Sequence, residues 1–500
     1  MKSMEHSDLQ SPHRRTIRGK AHQTLLQPKS LLLALSVCAV LGACSAGPDY
    51  KRPTVDTPGQ YKENRGWVKT APLATASPDA WWTIFGDATL NLLEPRIASA
   101  NQSLRASYFA YQQALALTDT ARAGEFPTLG ASIASTRSGT GSGSSAAPVV
   151  SGKTVSLTAS WVPDFWGKVG RQVESNTASA EASRDNLIAA QRSLQATLAQ
   201  DYFQIRLLDS QIALAQDTVT AYGRSLQLTH NRYAAGIATR SDVAQAESQL
   251  ANARVQLVTF SVQRAQLEHA IAVLIGEPPS NFSLPVVAGI PQPQAIPAGL
   301  PSQLLLRRPD LLAAERQVAA ANAQIGVAES AYFPALTLSA QGGWHGPSFA
   351  GLIAAPNVFW SIGPALAETL FDGGARSAQV AQSRAAYQQT VAQYRQLSLQ
   401  ALQQVEDQLA ATSILAQEAK LQQQAVTAAD ESLRLVTNQY KAGIVSYLNV
   451  ATAQAATYTA RNAYLQIEGQ RLNASVALIQ AMGGGWGKDI QTARTPDIPE

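Results

Sequence analysis

Few side chains in this sequence of 500 residues have the type and spacing that chemistry needs. It holds two cysteines, Cys38 and Cys44, and six histidines. Cys38 lies inside an apolar run. Cys44 follows that run and precedes SAGPDYKRP, so it is the one thiol a processed chain keeps. Beyond it remain His230, His269 and His345, none at metal-ligand spacing from another. No phosphate-binding GxxxxGK[ST], no GxSxG and no HExxH occurs. Catalysis therefore has no visible home, and the chemistry left open is covalent modification of the Cys44 thiol.

The elements around Cys44 say what that modification is. Residues 1–29 are polar and basic, with Arg14, Arg15, Arg18, Lys20 and Lys29. Residues 30–43, SLLLALSVCAVLGA, are apolar and then small. This is a charged n-region, a short h-region and a cleavage site, too short for a membrane span of about 20 apolar residues. LGAC resembles the bacterial lipobox. That likeness implies cleavage of a 1–43 signal peptide, acylation of the Cys44 thiol and new amine, and transfer to the outer membrane, because Ser45 rather than Asp follows. An ordinary secretory signal that happens to hold a cysteine is the alternative. Either way no cysteine pair remains, so the exported chain must be held by packing or assembly. No later stretch is apolar for 18 residues. The net charge of +4 comes nearer neutral without the leader and argues for no nucleic-acid partner.

An internal repeat organises the rest. FPTL at 126–129 recurs as FPAL at 333–336, and the same shift pairs NRYAAGI (231–237) with NQYKAGI (438–444). FWGKVGR (165–171) pairs with LFDGGAR (370–376) at a shift two shorter. The reading is a lipidated extended segment over 44–79, two units over 80–279 and 301–486, a Pro-rich connector at 280–300 and a tail at 487–500. Each unit predicts a helix (98–123; 306–331), two strands entered at FP, a long Ala/Gln/Ser-rich helix (170–222; 375–430), a turn at Ala-Gly, and a last helix (239–275; 446–481). In TVSLTASWV, Val155, Leu157, Ala159 and Trp161 alternate with Ser156, Thr158 and Ser160, the strand period with one apolar and one polar face. The last helix carries heptads. Val243, Leu250, Leu257, Arg264 and Ile271 alternate with Ala246, Ala253, Phe260, Leu267 and Leu274 to form a coiled-coil seam.

One chain thus offers four strands in two hairpins. Four strands cannot close a barrel, and an open edge is not tolerated in lipid. They form either a small soluble sheet or one share of a barrel built by several chains. Eight strands give an interior that side chains fill; three chains give twelve and leave a conduit.

GPDYKRP after Cys44, RRPDLLAAERQVAAANAQIGVAESAYFPAL, FWGKVGR, YKAG and AMGGGW (481–486) together resemble the outer membrane factor family, in its lipoprotein branch of NodT type. The likeness runs in order over nearly all of the mature chain. It implies a mixed α+β membrane protein: a homotrimer with a twelve-stranded barrel in the outer membrane above a periplasmic helical tunnel. That tunnel would dock on a periplasmic adaptor protein, itself joined to an inner-membrane proton-driven pump. Transport would be passive, without catalysis, and with no cofactor beyond the lipid on Cys44. The long loops 138–152 and 346–356 would face the cell exterior.

The resemblance also assigns residues. RYAAG and QYKAG match the hairpin tips that meet the adaptor, with Gly236 and Gly443 in the turns and Tyr233 and Tyr440 beside them. YLNVATAQ, 447–454, matches the segment that closes the tunnel, with Leu448 as an apolar constriction. Asn449 and Thr452 stand where several members carry Asp, which implies an aperture without a fixed acidic ring there. Asp242 is either an acidic aperture group or a helix cap. Two other functions remain open: an exit duct for type I protein or peptide secretion, and a coiled-coil lipoprotein that conducts nothing.

Overall fold

The computed structural model describes residues 45–63, 80–139, 149–292, 296 and 307–484. The signal peptide, Cys44, most of the 138–152 loop and the 487–500 tail lie outside the described residues. A 3₁₀ turn at Trp81–Phe85 leads into helix α1 (Ala88–Ala100), α2 (Gln102–Ala123), strands β1 (Thr128–Ser138) and β2 (Val150–Trp161), then α3 (Lys168–Ala234) and α4 (Arg240–Leu274). After the connector come α5 (Pro309–Glu329), β3 (Ala335–Gly346), β4 (Val358–Ala367), α6 (Ala375–Lys441) and α7 (Tyr447–Ala481). The α3 and α6 helices are 67 residues each, and α4 and α7 are 35 each.

The long helices run past the ends expected at 222 and 430, to Ala234 and Lys441. At about 1.5 Å per residue each spans about 100 Å. Thr and Gly weaken helix propensity in DTVTAYGRSLQLT, but Tyr222 packs with Leu250 and Ala253, and tertiary burial wins. The helix expected over 98–123 is two helices. Asn101 breaks it: its side chain accepts from Leu104 N at 2.9 Å and donates to Leu274 O at 2.8 Å. Upstream, α1 was not foreseen at all, since Pro95 inside it reads as a breaker. It packs with Trp81, Trp82 and Phe85 against Tyr202 and Phe203 of α3 in the largest apolar cluster among the described residues.

The four strands form one antiparallel sheet in the order β1-β2-β3-β4. Register sorts its faces. Leu129, Ile133, Leu157, Trp344, Trp360, Ile362 and Leu366 share one face, and Ser132, Thr136, Ser156, Thr158, Ser339, Gln341 and Ser361 share the other. The apolar face is open, with Trp360 at 76% and Ile362 at 75% exposure. Soluble proteins rarely leave so large a patch uncovered. Among the described residues, both outer strands, β1 and β4, keep one edge without a partner. Among the described residues no helix is long and apolar enough to cross a membrane.

Along α4 the seam residues Val243, Ala246, Leu250, Ala253, Phe260 and Ile271 are buried. Arg264 is not an apolar member of that seam. Its Nε meets the fully buried Asp209 carboxylate at 2.6 Å, Nη1 meets Glu268 at 3.0 Å, and Nη2 donates to Leu284 O at 2.8 Å. Val287 N donates to the other Asp209 oxygen at 3.0 Å. The charge cluster ties the connector to the α3/α4 pair.

The segment Ala46–Glu63 lies as a strap along the helices. Arg171 of the FWGKVGR motif holds its start, donating to Ala46 O at 3.0 Å, Gly47 O at 3.2 Å and Asp49 at 3.2 Å. Asn322 of α5 donates to Pro48 O at 2.8 Å, and Arg395 of α6 to Thr54 O at 3.3 Å. Glu406 accepts from Lys62 N and Glu63 N at 2.8 and 3.0 Å. Gly326 leaves room for the strap: a Cβ there would stand 2.6 Å from Ala46 O and 2.8 Å from Arg171 Cγ. Gly326→Ala is therefore expected to lift the strap. Limited proteolysis should cut between residues 46 and 63 several times faster than in the wild type, and an unchanged rate would show that the strap is not seated on this glycine.

Candidate functional site

The two helical hairpins end together, about 100 Å from the sheet by helix length. Each turn is the same device. Gly236 has φ of 73° and Gly443 of 80°, a left-handed backbone that a Cβ would strain. Gly236 N donates to Tyr233 O at 2.9 Å and Ile237 N to Arg232 O at 2.8 Å; Gly443 N donates to Tyr440 O at 3.0 Å and Ile444 N to Gln439 O at 2.9 Å. These paired bonds satisfy the last carbonyls of α3 and α6.

The following helices start differently. At α4, Thr239 and Asp242 form a reciprocal cap: Asp242 N donates to Thr239 Oγ1 at 3.2 Å, and Thr239 N donates to Asp242 Oδ2 at 3.0 Å. Of the two roles open to Asp242, the cap is the one its geometry fills. At α7, Ser446 precedes the helix and Asn449 Nδ2 reaches its Oγ at 3.4 Å.

A small apolar core of Ala246, Tyr440, Tyr447, Val450 and Ala451, flanked by Leu226, draws all four helices together at the tip. Tyr440 and Tyr447 meet edge to face at 5.8 Å between ring centroids. Burial, with the Tyr222 and Tyr440 phenols close by, pushes the Tyr447 phenol up to about 12, so it stays neutral. Polar bonds cross between the hairpins above the turns. Arg232 Nη1 donates to Tyr440 O at 2.8 Å, and its guanidinium stands over the Tyr440 ring at 4.6 Å. Gln249 Nε2 donates to Ala451 O at 3.0 Å and Gln454 Nε2 to Ser225 Oγ at 2.8 Å.

The tip residues foreseen in the sequence divide into two kinds. Tyr233 is 45% exposed, whereas Tyr440 is 4% exposed. Tyr440 builds the tip from within, whereas the Tyr233 ring is exposed. Gly236 and Gly443 are exposed in their turns. On α7, Leu448, Asn449 and Thr452 are exposed, while Tyr447, Val450, Ala451 and Ala453 are buried. Leu448 and Thr452 lie one turn apart, and Thr452 Oγ1 donates to Leu448 O at 2.9 Å. Asp242 sits on the other hairpin, closed in its cap. The residues missed were Arg232, Gln249 and Gln454. Arg232 had a signal: the repeated motif reads NRYAAG in one copy and NQYKAG in the other, so the arginine is the departure. Among the described residues, no three His, Cys, Asp or Glu side chains converge to hold a metal.

Long paired helices thus end in bonded tips, far from a sheet with an open apolar face. The model of one family, outer membrane efflux protein, matches residues 95–277 and again 300–484. The chain belongs to the outer membrane efflux protein family. Among curated relatives, the pyoverdine export outer membrane protein OpmQ of Pseudomonas aeruginosa is 32% identical over 92% of this chain and 98% of its own length. The toluene efflux pump outer membrane protein TtgC of Pseudomonas putida is 30% identical over 91% of this chain and 96% of its own. Among solved structures, the outer-membrane channel OprN matches with a TM-score of 0.82 at 26% identity, over 89% of this chain and all of that one. The protein is an outer membrane channel with a large periplasmic part, the passive exit duct of a tripartite efflux system, and not an enzyme.

Proposed function

We propose that three copies of the chain form the duct, each giving its four strands to one twelve-stranded barrel. The observation that carries this is the sheet: one face largely apolar and exposed and, among the described residues, both edges unpaired. In lipid such edges must be closed by pairing, and β4 of one copy beside β1 of the next closes the ring with a Ser- and Thr-lined lumen. The helical hairpins then form the tunnel, and its tips meet a periplasmic adaptor through Tyr233 and the exposed Gly236 and Gly443 turns. The adaptor links the duct to a proton-driven inner-membrane pump. Acylation of Cys44 adds a lipid anchor. The cargo is drugs or other small toxic compounds. Names such as pyoverdine export and toluene efflux among similar proteins favour a duct that takes what its pump delivers.

The closed aperture is a ring of Leu448 side chains near the threefold axis. Leu448 is 61% exposed in one chain, on the face of α7 turned away from its own core. Three leucines can gate by excluding water, without charge. Asn449 Nδ2 reaches Ser446 Oγ just before the helix, and Thr452 Oγ1 donates to Leu448 O within it. In planar bilayers, Leu448→Ser is expected to raise single-channel conductance severalfold. Asp242→Asn should leave it unchanged, since the Asn Oδ1 still accepts from Thr239 N. If Leu448→Ser is silent and Asp242→Asn opens the pore, closure is ionic and belongs to the first hairpin.

A further inference from the structure

The loop end of the sheet's apolar face carries two cations and no acid. Register sets Arg137 opposite Ser151 and Lys153 opposite Ser135, on the face that holds Ile133 and Leu157. The two are diagonal neighbours on adjacent strands, about 7–8 Å apart by sheet geometry. Arg137 is exposed. Lys153 donates to Ser135 Oγ, and its ammonium stands 5.2 Å from the centre of the Phe349 ring. Residues 126–163 and 330–367, which contain both strand hairpins and their loops, include no Asp or Glu. Acids resume only at the helix end, with Glu125, Asp164, Glu329 and Glu368.

A cation on the lipid face of a barrel strand costs about 2–4 kcal/mol at mid-bilayer and little at the interface. Arg137 and Lys153 therefore mark the interface at the loop end. This chain's hairpins supply them no counter-charge. Arginine forks two oxygens of a phosphate, and lysine adds a point charge. We propose that Arg137 and Lys153 bind the phosphate groups of a phosphorylated glycolipid headgroup in the outer leaflet, one site per chain. The site rests on the reading above that this face meets lipid with its loops outward. It fixes the depth of the barrel in the membrane and gives it an annulus of bound lipid.

The test uses the purified full-length protein in detergent, with bis-phosphorylated lipid A as probe and binding read by native mass spectrometry. Conductance in planar bilayers is measured on the same samples. Arg137→Gln with Lys153→Gln is expected to weaken lipid A binding at least tenfold while conductance is kept. Lys420→Gln, the same kind of charge loss on the exposed surface of α6, should leave binding unchanged. Removing both phosphates from the probe should weaken binding by the wild type as much as the double variant does, and inorganic phosphate at equal concentration should not compete. Binding that survives in the double variant, or falls equally in Lys420→Gln, overturns the site although the duct stands. Full competition by inorganic phosphate overturns the lipid as its ligand. Absence of conductance in both the wild type and Leu448→Ser overturns the duct and the site together.

Discussion

Arg232→Ala is expected to part the two hairpin tips and raise the resting conductance of the channel by a large factor. The guanidinium makes two contacts across the hairpins, a bond to Tyr440 O and a position over the Tyr440 ring. A hydrogen bond from a charged donor contributes about 1.5–3 kcal/mol, and a partly buried cation–π contact about 0.5–2 kcal/mol. The Arg232 Nε is buried without a partner, which offsets part of this. A net loss of about 2 kcal/mol per chain shifts a closed–open balance by about thirtyfold, and three chains share one aperture. Tyr440→Phe should do much less, because it removes only the 3.3 Å contact between the phenol and Thr229 Oγ1. Arg232→Lys should fall between, since it keeps charge and loses the planar fork. Equal conductance in Arg232→Ala and wild type would mean that the apolar tip core alone holds the hairpins.

Glu94→Gln is expected to flatten the fall in stability that the wild type shows as pH rises. Glu94 is fully buried in α1, and neither carboxyl oxygen has a hydrogen-bond partner. Burial pushes its pKa from the ordinary 4.5 up to about 9. The folded chain keeps this proton over a range in which the unfolded chain releases it. The site's stability contribution is complete below about pH 4.5 and is lost as pH climbs to about 9, by up to about 1.4 kcal/mol per pH unit. Thermal unfolding in detergent from pH 5 to 9 reads this directly. The wild-type midpoint should drop steadily and that of Glu94→Gln should drop less. Parallel curves for the two proteins would show that Glu94 does not carry the proton.

The parts of the fold that follow from local rules were legible in the residues. Alternation in TVSLTASWV set the two sheet faces, and the Ala-Gly pairs set turns whose glycines take positive φ. What escaped depends on which surfaces meet. Tyr233 and Tyr440 stand at the same distance from their turn glycines, yet one is exposed and the other is enclosed by four helices. No spacing distinguishes them. Arg264 falls on a seam position by heptad count, and only the connector folded over it shows why a charge sits there. Helix α1 was hidden because Pro95 and Glu94 argue against a buried helix, and the aromatic cluster overrides both.

The strap bears on the order in which the molecule is completed. Its bonds reach from residue 46 to Arg171, from 48 to Asn322, and from 62 and 63 to Glu406, up to 344 positions along the chain. Contacts so remote in sequence close late. Residues 54–63 are therefore among the last to find their place. Until the second half has followed them across the inner membrane, the surface they cover on α5 and α6 does not exist. A truncated export product keeps the Arg171 hold on residues 46–49 but has no seat for residues 54–63, which leaves that stretch open to proteases.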